Sequence, residues 1–295
     1  MKTISRLLST AANMLGQRDA PILPKDAPQL RRASDPWFWS HYETVAQIVM
    51  SEVPRSCLMK GSKVLDFGCG DGAATLGVAS HSEASVVGVD LMRSFAHLPA
   101  LAEQNLGKKD LPSNLTFMQN QIDQPLAIAD QSIDLVYSWS VLEHVSNVAG
   151  VMAECARIIK PKGYLFIQID PLFHSPFGSH LQRLIKQPWA HLLYEEDEYL
   201  RLVSEAKDDV PLDQQDTLYR NNNFADVKRY LIGEYQRLNR IEAKQLTEIV
   251  TSAGFDLIST KFIMAEGVEP SANLIEKYSL ELLMTQQIVI LGQKA

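Results

Sequence analysis

The sequence predicts a doubly wound α/β fold built on a mostly parallel sheet, and three observations carry that prediction. Short apolar, β-branched runs recur at Lys63–Phe67, Ser85–Val89, Leu115–Gln119, Ile133–Trp139 and Tyr164–Ile169, and helical patterns fill the intervals between them. Strands that alternate with helices imply parallel pairing with helices on both faces. The first run passes straight into three alternating glycines, Gly68, Gly70 and Gly72, before a helix opens at Ala73. The second run ends in Asp90, a carboxylate at the strand end where a doubly wound fold holds ribose hydroxyls.

Taken in order, the chain opens with Ile4, Leu7, Leu8, Ala11 and Leu15 on one helical face, with Lys2, Arg6 and Arg18 and no acid before Asp19. Such a stretch fits a docked or frayed helix, a transit peptide or a membrane-surface helix. Prolines at 21, 24 and 28 mark a linker, so residues 1–34 are read as an appendage and 35–295 as the domain. A helix is predicted from Asp35, its N-cap, through Pro36 at the first helical position to about Val53. Its aromatic start, Trp37, Phe38, Trp39 and Tyr42, either packs on the sheet or covers a cleft. Further helices are predicted over Ser94–Asn105 and Asn147–Ile159, the second ended by Lys160-Pro161-Lys162-Gly163. Beyond Asp170 lie an acidic helical stretch (Glu195–Asp209), a polar break at Asn221-Asn222-Asn223, a helix over Ile241–Ala253, and strands over Phe255–Ile263 and Gln286–Leu291.

Glycines in the turn let the main chain approach a ligand, and the following helix N-terminus attracts an anionic group. Two cofactors fit. Gly68, Gly70 and Ala73 satisfy a dinucleotide pattern. S-adenosylmethionine (SAM) has a ribose but no phosphate, and Asp66 before the first glycine could meet its ammonium. A carboxylate at the end of a central strand is costly unless something pairs with it.

The stretch Asp66-Phe67-Gly68-Cys69-Gly70-Asp71-Gly72 resembles the first motif of class I SAM-dependent methyltransferases. Asp130 to Ser138, Val141-Leu142-Glu143-His144-Val145 and Arg157 to Gly163 resemble that family's later motifs, in order, so the likeness spans roughly Gly61 to Asp170 and is of the methyltransferase domain 11 type. It implies a seven-stranded Rossmann-like sheet whose last strand is antiparallel, SAM as cofactor, and a cofactor set of Asp66, Gly68, Cys69, Gly70, Asp90, Leu91, Gln121, Ile122 and Ser138. One departure stands out. The family commonly has an acid after the third strand, where Gln121 and Ile122 stand here, followed by Asp123.

Residues 171–240 form a long insertion after the fifth strand. They leave from the edge where open α/β sheets bind ligands, so they are read as a substrate lid. A hydroxyl acceptor loses a proton as it is methylated and needs a base. His144, after the fourth strand, is the first candidate and His174 the second. His180 and His191 could take part only if the lid folds back. The histidine spacing matches no standard zinc signature, and no metal is assigned. The chain has 295 residues, 46% hydrophobic and 21% charged, and its net charge of −7 argues against broad nucleic-acid binding. Three cysteines without a CxxC fit reduced thiols in the cytoplasm, and no apolar run reaches membrane-span length. The expected function is SAM-dependent O-methylation of a small hydroxylated acceptor such as a sugar. A nicotinamide-dependent oxidoreductase and a non-catalytic SAM-binding protein are the alternatives, and the oligomeric state is open.

Overall fold

The structure, a computed structural model, describes residues 35–122, 124–207 and 224–295. The N-terminal amphipathic stretch, the proline linker, Asp123 and the asparagine break at 221–223 fall outside these residues.

Seven strands form one sheet: β1 (Lys63–Phe67), β2 (Ser85–Asp90), β3 (Leu115–Gln119), β4 (Ile133–Trp139), β5 (Ile159–Ile169), β6 (Phe255–Met264) and β7 (Thr285–Lys294). Their order is β3-β2-β1-β4-β5-β7-β6. Strands β1 to β5 pair in parallel, while β7 runs antiparallel to both β5 and β6, as the sequence led us to expect. The order reverses between β1 and β4, so their carboxyl ends open the crevice where such sheets bind ligands. The inner strands β1, β2 and β4 are largely buried because helices cover both faces. Val64, Leu135, Tyr137 and Phe166 belong to one core, Leu65, Val136, Leu165 and Ile167 to the other.

The helix expected from Asp35 is present, but it changes pitch. It runs as α1 (Pro36–Trp39), a π-helical stretch (Ser40–Val45) and α2 (Ala46–Glu52). Asp35 caps it through the Trp37 and Phe38 amides. The wide turn lies against α3 (Ala73–His81), where a Cβ on Gly77 would stand 2.0 Å from the Tyr42 carbonyl oxygen. The helix expected over Ser94–Asn105 starts as a 3-10 turn, Ser94–His97, and becomes α4 (Leu98–Leu106) only where Pro99 falls in the first turn. Helix α5 (Val148–Ile158) carries its apolar stripe into the second core, with Asn147 as cap. At Lys162, φ is 63°, which turns the chain between the first residue of β5 and the pairing that resumes at Tyr164.

Beyond β5, α6 (Ala190–Leu193), α7 (Glu196–Glu205) and α8 (Phe224–Arg237) enclose a small core of Phe173, Leu181, Ala190, Tyr199, Val203 and Tyr235. Sequence reading anticipated α7 and missed α8. Helix α9 (Ala243–Ser252) and two short helices, α10 (Ala272–Ile275) and α11 (Leu280–Met284), complete the chain. Among the described residues no helix is long and apolar enough to cross a membrane, and all three cysteines are buried free thiols.

Candidate functional site

The glycine turn forms because β1 ends beside β2 and its backbone closes onto β2. The amides of Gly68 and Cys69 both donate to the Val89 carbonyl, at 2.8 and 3.0 Å. Gly70 N–H donates to Asp90 Oδ2 at 2.9 Å, Gly72 N–H to the Cys69 carbonyl, and Ala73 N–H to Asp71 Oδ1. Gly68, Gly70 and Gly72 all have positive φ, which glycine tolerates best. Gly68 also admits Val141, since a Cβ there would lie 2.4 Å from a Val141 methyl. The turns after β1 and β4 therefore interlock at the topological switch. The expectation that this turn offers free amides to an anion needs correction: these five N–H groups already have acceptors within the chain.

Asp66 is 3% exposed, and Oδ2 accepts hydrogen bonds from Thr75 Oγ1 at 2.6 Å and Tyr137 Oη at 2.8 Å. Tyr137 is its register partner on β4, and Thr75 sits in the first turn of α3. Burial pushes the Asp66 carboxyl up to about 7 despite those two donors. Asp90 is held by its own loop as well, accepting from Met92 N–H at 2.8 Å through Oδ1. Cys69 is buried, and desolvation raises its thiol. Ser138 is 2% exposed and donates its hydroxyl to the Phe67 carbonyl, so that side chain joins β4 to β1.

Leu91 and Ile122 stand exposed at the ends of β2 and β3, with Gln121 exposed beside Ile122. Met92 adds a third exposed apolar side chain there. Trp37, also exposed, donates Nε1–H to Asp71 Oδ2 at 3.1 Å, whereas its neighbours Phe38 and Tyr42 stack in the core. Phe38 and Tyr42 of that aromatic start thus pack in the core, while Trp37 stands beside the glycine turn. Tyr230 of α8 faces this rim. Burial raises its phenol, and Glu234 and Asp90 add to the rise. Sequence reading missed Tyr230 because the helix that carries it was not recognised.

The other half of the site lies after β4 and β5. His144 follows a single 3-10 turn, and its Nδ1 is 3.5 Å from Glu234 Oε2 on α8 without forming a hydrogen bond. Burial lowers its pKa, so the ring is neutral near pH 7 and able to accept a proton. The chain does fold back over it, since the His180 ring centroid is 5.3 Å from that of His144. His180 meets the Pro171 carbonyl at 3.4 Å, and burial takes it down to about 4. His191 donates Nε2–H to the Phe173 carbonyl at 2.7 Å and is likewise pushed to about 4, which makes it a structural residue. His174 meets Phe173 edge to face and Tyr278 at a tilt, is lowered by burial, and has no partner for Nδ1 among the described residues. No group of three or more side chains among the described residues could hold a metal ion.

Two acids that sequence reading left out of the site share this region. Glu143 is 3% exposed, and neither of its carboxylate oxygens has a hydrogen-bond partner among the described residues. Asp170, just after β5, accepts from Gln286 Nε2 at 3.2 Å through its carboxylate and from the Ser140 hydroxyl through its carbonyl, and burial raises the carboxyl to about 6. Their neighbour Ser140 donates backbone N–H and Oγ to Gln168 Oε1.

Residues 65–167 match the family described as Methyltransferase domain. Residues 65–167 are therefore a SAM-dependent methyltransferase domain. The cofactor of such domains is SAM, and the residues present fit it: the rim is apolar, Asp90 ends β2, and the glycine-turn amides that a phosphate would need are engaged. Over 106 residues the domain is 34% identical to the ubiquinone biosynthesis O-methyltransferase of Vibrio vulnificus (strain YJ016), covering 36% of this chain and 43% of that protein. This chain therefore spans less than half the length of the curated relative it matches. The methyltransferase domain also resembles in fold a SAM-dependent methyltransferase from Mesorhizobium loti (TM-score 0.50, 16% identity, 86% of this chain and 100% of that one). A similar likeness links it to phosphoethanolamine N-methyltransferase 2 of Haemonchus contortus, solved with SAM (TM-score 0.52, 14% identity, 88% and 56% covered).

Proposed function

We propose that this protein transfers the methyl group of SAM to a hydroxyl of a small acceptor. The observation that carries the reading is the glycine turn itself. Its amides are closed onto Val89, Asp71 and Asp90, which disfavours a pyrophosphate and suits a ligand that has a ribose without one. The O-methyltransferase name of the curated relatives supports oxygen as the target.

In this reading the main chain at Gly68, Cys69 and Gly70 lines the cofactor. Asp90 accepts from the ribose hydroxyls, Leu91 and Ile122 sandwich the adenine, and Gln121 hydrogen-bonds its edge. Asp66 sits behind the turn, where a nearby ammonium would draw its carboxyl into the ionised form. Ser138 acts at one remove, by fixing the end of β1. The sulfonium of SAM supplies an already activated methyl group. The chain's own work is to align the acceptor and keep water out, which can supply several kcal/mol of a barrier. Residues 171–240 would form the lid within a catalytic unit of residues 35–295, and Phe173, Leu181, Ala190, Tyr199, Val203 and Tyr235 would give it a small core of its own. His144 and His174, both lowered by burial and so neutral, are available to take or hold a proton. The acceptor is a small molecule, not a nucleic acid, given the net charge of −7, and the three reduced cysteines fit work in the cytoplasm.

Transfer of labelled methyl from SAM to catechol, phenol, methyl glucoside and glycerol tests the reading, with benzylamine as a nitrogen control. Label in at least one hydroxyl acceptor and none in the amine is the expected result. Labelling confined to the amine overturns the hydroxyl assignment.

A further inference from the structure

Native proteins satisfy nearly all buried polar groups, and each exception needs a cause. Besides scattered cases such as Trp39, Ser82 and Asn105, several exceptions lie in the turn after β4 and the segment after β5. Glu143 Oε1 and Oε2, His144 Nδ1 and His174 Nδ1 are buried without a hydrogen-bond partner among the described residues. Glu143 is the sharpest case, because a buried carboxylate without a donor is far more costly than a buried imidazole. Helix propensity and core packing do not explain its presence. Its carbonyl is held by Asn239 N–H at 2.8 Å, so the backbone is pinned while the side chain is left without a partner.

The groups facing it are known from each element packed there. Asp170 comes from the end of β5, close enough to raise Glu143 further. His144 is the next residue in the turn, and His180 meets His144 edge to face from the segment after β5. Glu234 and Arg237 of α8 act on His144. Gln286 of β7 holds Asp170. No cation among these groups is recorded as pairing with Glu143. Its two carboxylate oxygens keep lone pairs that can accept a hydrogen bond from an acceptor's hydroxyl.

We propose that Glu143 is the group that receives the acceptor's hydroxyl proton, and that His144 positions the acceptor without taking that proton. The inference rests on the methyl-transfer reading above. In the step, the acceptor O–H bond breaks and its proton passes to a Glu143 carboxylate oxygen. The oxygen lone pair forms the O–CH3 bond, and the electron pair of the cleaved C–S bond stays on sulfur. Glu143 ends as the neutral acid and returns the proton to solvent when product leaves.

The pH dependence of methyl transfer separates the two candidates. The full chain is assayed with the best hydroxyl acceptor of the panel above, as wild type, Glu143→Gln, His144→Asn and Asp170→Asn, and SAM binding is followed by calorimetry in each. If Glu143 is the base, the wild-type rate rises with pH through a midpoint above the ordinary glutamate value of about 4.3. Glu143→Gln then loses about 10²–10⁴-fold in kcat, the usual contribution of general base catalysis, and loses that limb of the profile, with SAM affinity and unfolding temperature kept. His144→Asn keeps the limb. Asp170→Asn removes the like charge beside Glu143 and moves the limb to lower pH, a readout that a purely structural role would leave in place. Near-wild-type kcat in Glu143→Gln, or an unmoved limb in Asp170→Asn, overturns the inference. A wild type that binds no SAM overturns instead the reading on which it rests.

Discussion

Asn239 donates its backbone N–H to the Glu143 carbonyl at 2.8 Å, and its side-chain amide donates to the Leu142 and Val145 carbonyls at 2.6 and 2.8 Å. Its Oδ1 accepts from Ile241 N–H, so one residue closes the turn after β4 onto the end of the 171–240 segment. The turn that carries Glu143 and His144 is thereby fixed from outside its own strand. Asn239→Ala removes the side-chain bonds and leaves carbonyls unsatisfied, at an expected cost of about 1–3 kcal/mol in stability. Urea unfolding measures that loss, and calorimetry is expected to find SAM affinity unchanged beside a lowered kcat. A loss of SAM affinity equal to the loss of rate would mean that the clasp serves the cofactor half instead.

Gly77 sets the distance between the first helix and α3. A Cβ there would meet the Tyr42 carbonyl oxygen at 2.0 Å and the Ala46 Cβ at 2.6 Å. Backbone cannot swing aside as a side chain can, so Gly77→Ala is expected to destabilise the fold by about 1–3 kcal/mol, the range for overpacking. Trp37 would move with the helix, and its quenching by ligand should weaken with it. An alanine variant as stable as wild type would show that the helix is free to shift.

Asp66 gives a pH signature with a definite sign. Its folded carboxyl stands at about 7, above the unfolded value of about 3.9. Between those values the folded chain holds a proton that the unfolded chain has lost, so this contribution to stability falls as pH rises and is gone above the folded value. His180 and His191, both lowered to about 4, act the other way and favour the fold above about 6.5. Asp66→Asn keeps an acceptor for Thr75 and Tyr137 and removes only the first effect. Its unfolding temperature relative to wild type is therefore expected to be higher at pH 8 than at pH 5. The opposite ordering would mean that Asp66 is ionised in the free protein.

Much of this was legible in the sequence. The strand runs are short, apolar and bounded, and Asp66, the alternating glycines and Asp90 sit at strand ends where their chemistry is local. Asp35, Asn147 and the Lys160–Gly163 break announce helix and strand ends by residue type alone. What was not legible depends on the chain returning over itself. Glu143 reads as a polar residue in a loop until α8 and Asn239 bury it. His191 reads as a candidate base until its Nε2–H is seen donating to the Phe173 carbonyl. Helix α8 follows a polar stretch and has only Val227 and Tyr235 buried, too weak an apolar stripe to announce a helix. The π-helical stretch at Ser40–Val45 answers to its contact with Gly77, which no local pattern records.

The central claim, that the glycine turn and Asp90 hold SAM and not a dinucleotide, is tested most directly by titration calorimetry of the full chain with SAM and with NAD+, in buffers of different ionisation enthalpy. The account predicts saturable SAM binding without comparable NAD+ binding, and uptake by the buffer of a proton released from Asp66 when the titration is run below its pKa of about 7. It also predicts that Asp90→Ala weakens SAM by roughly 1.5–3 kcal/mol, the range for hydrogen bonds to a charged group. Absence of SAM binding by the folded wild type, or NAD+ bound as tightly as SAM, would contradict it.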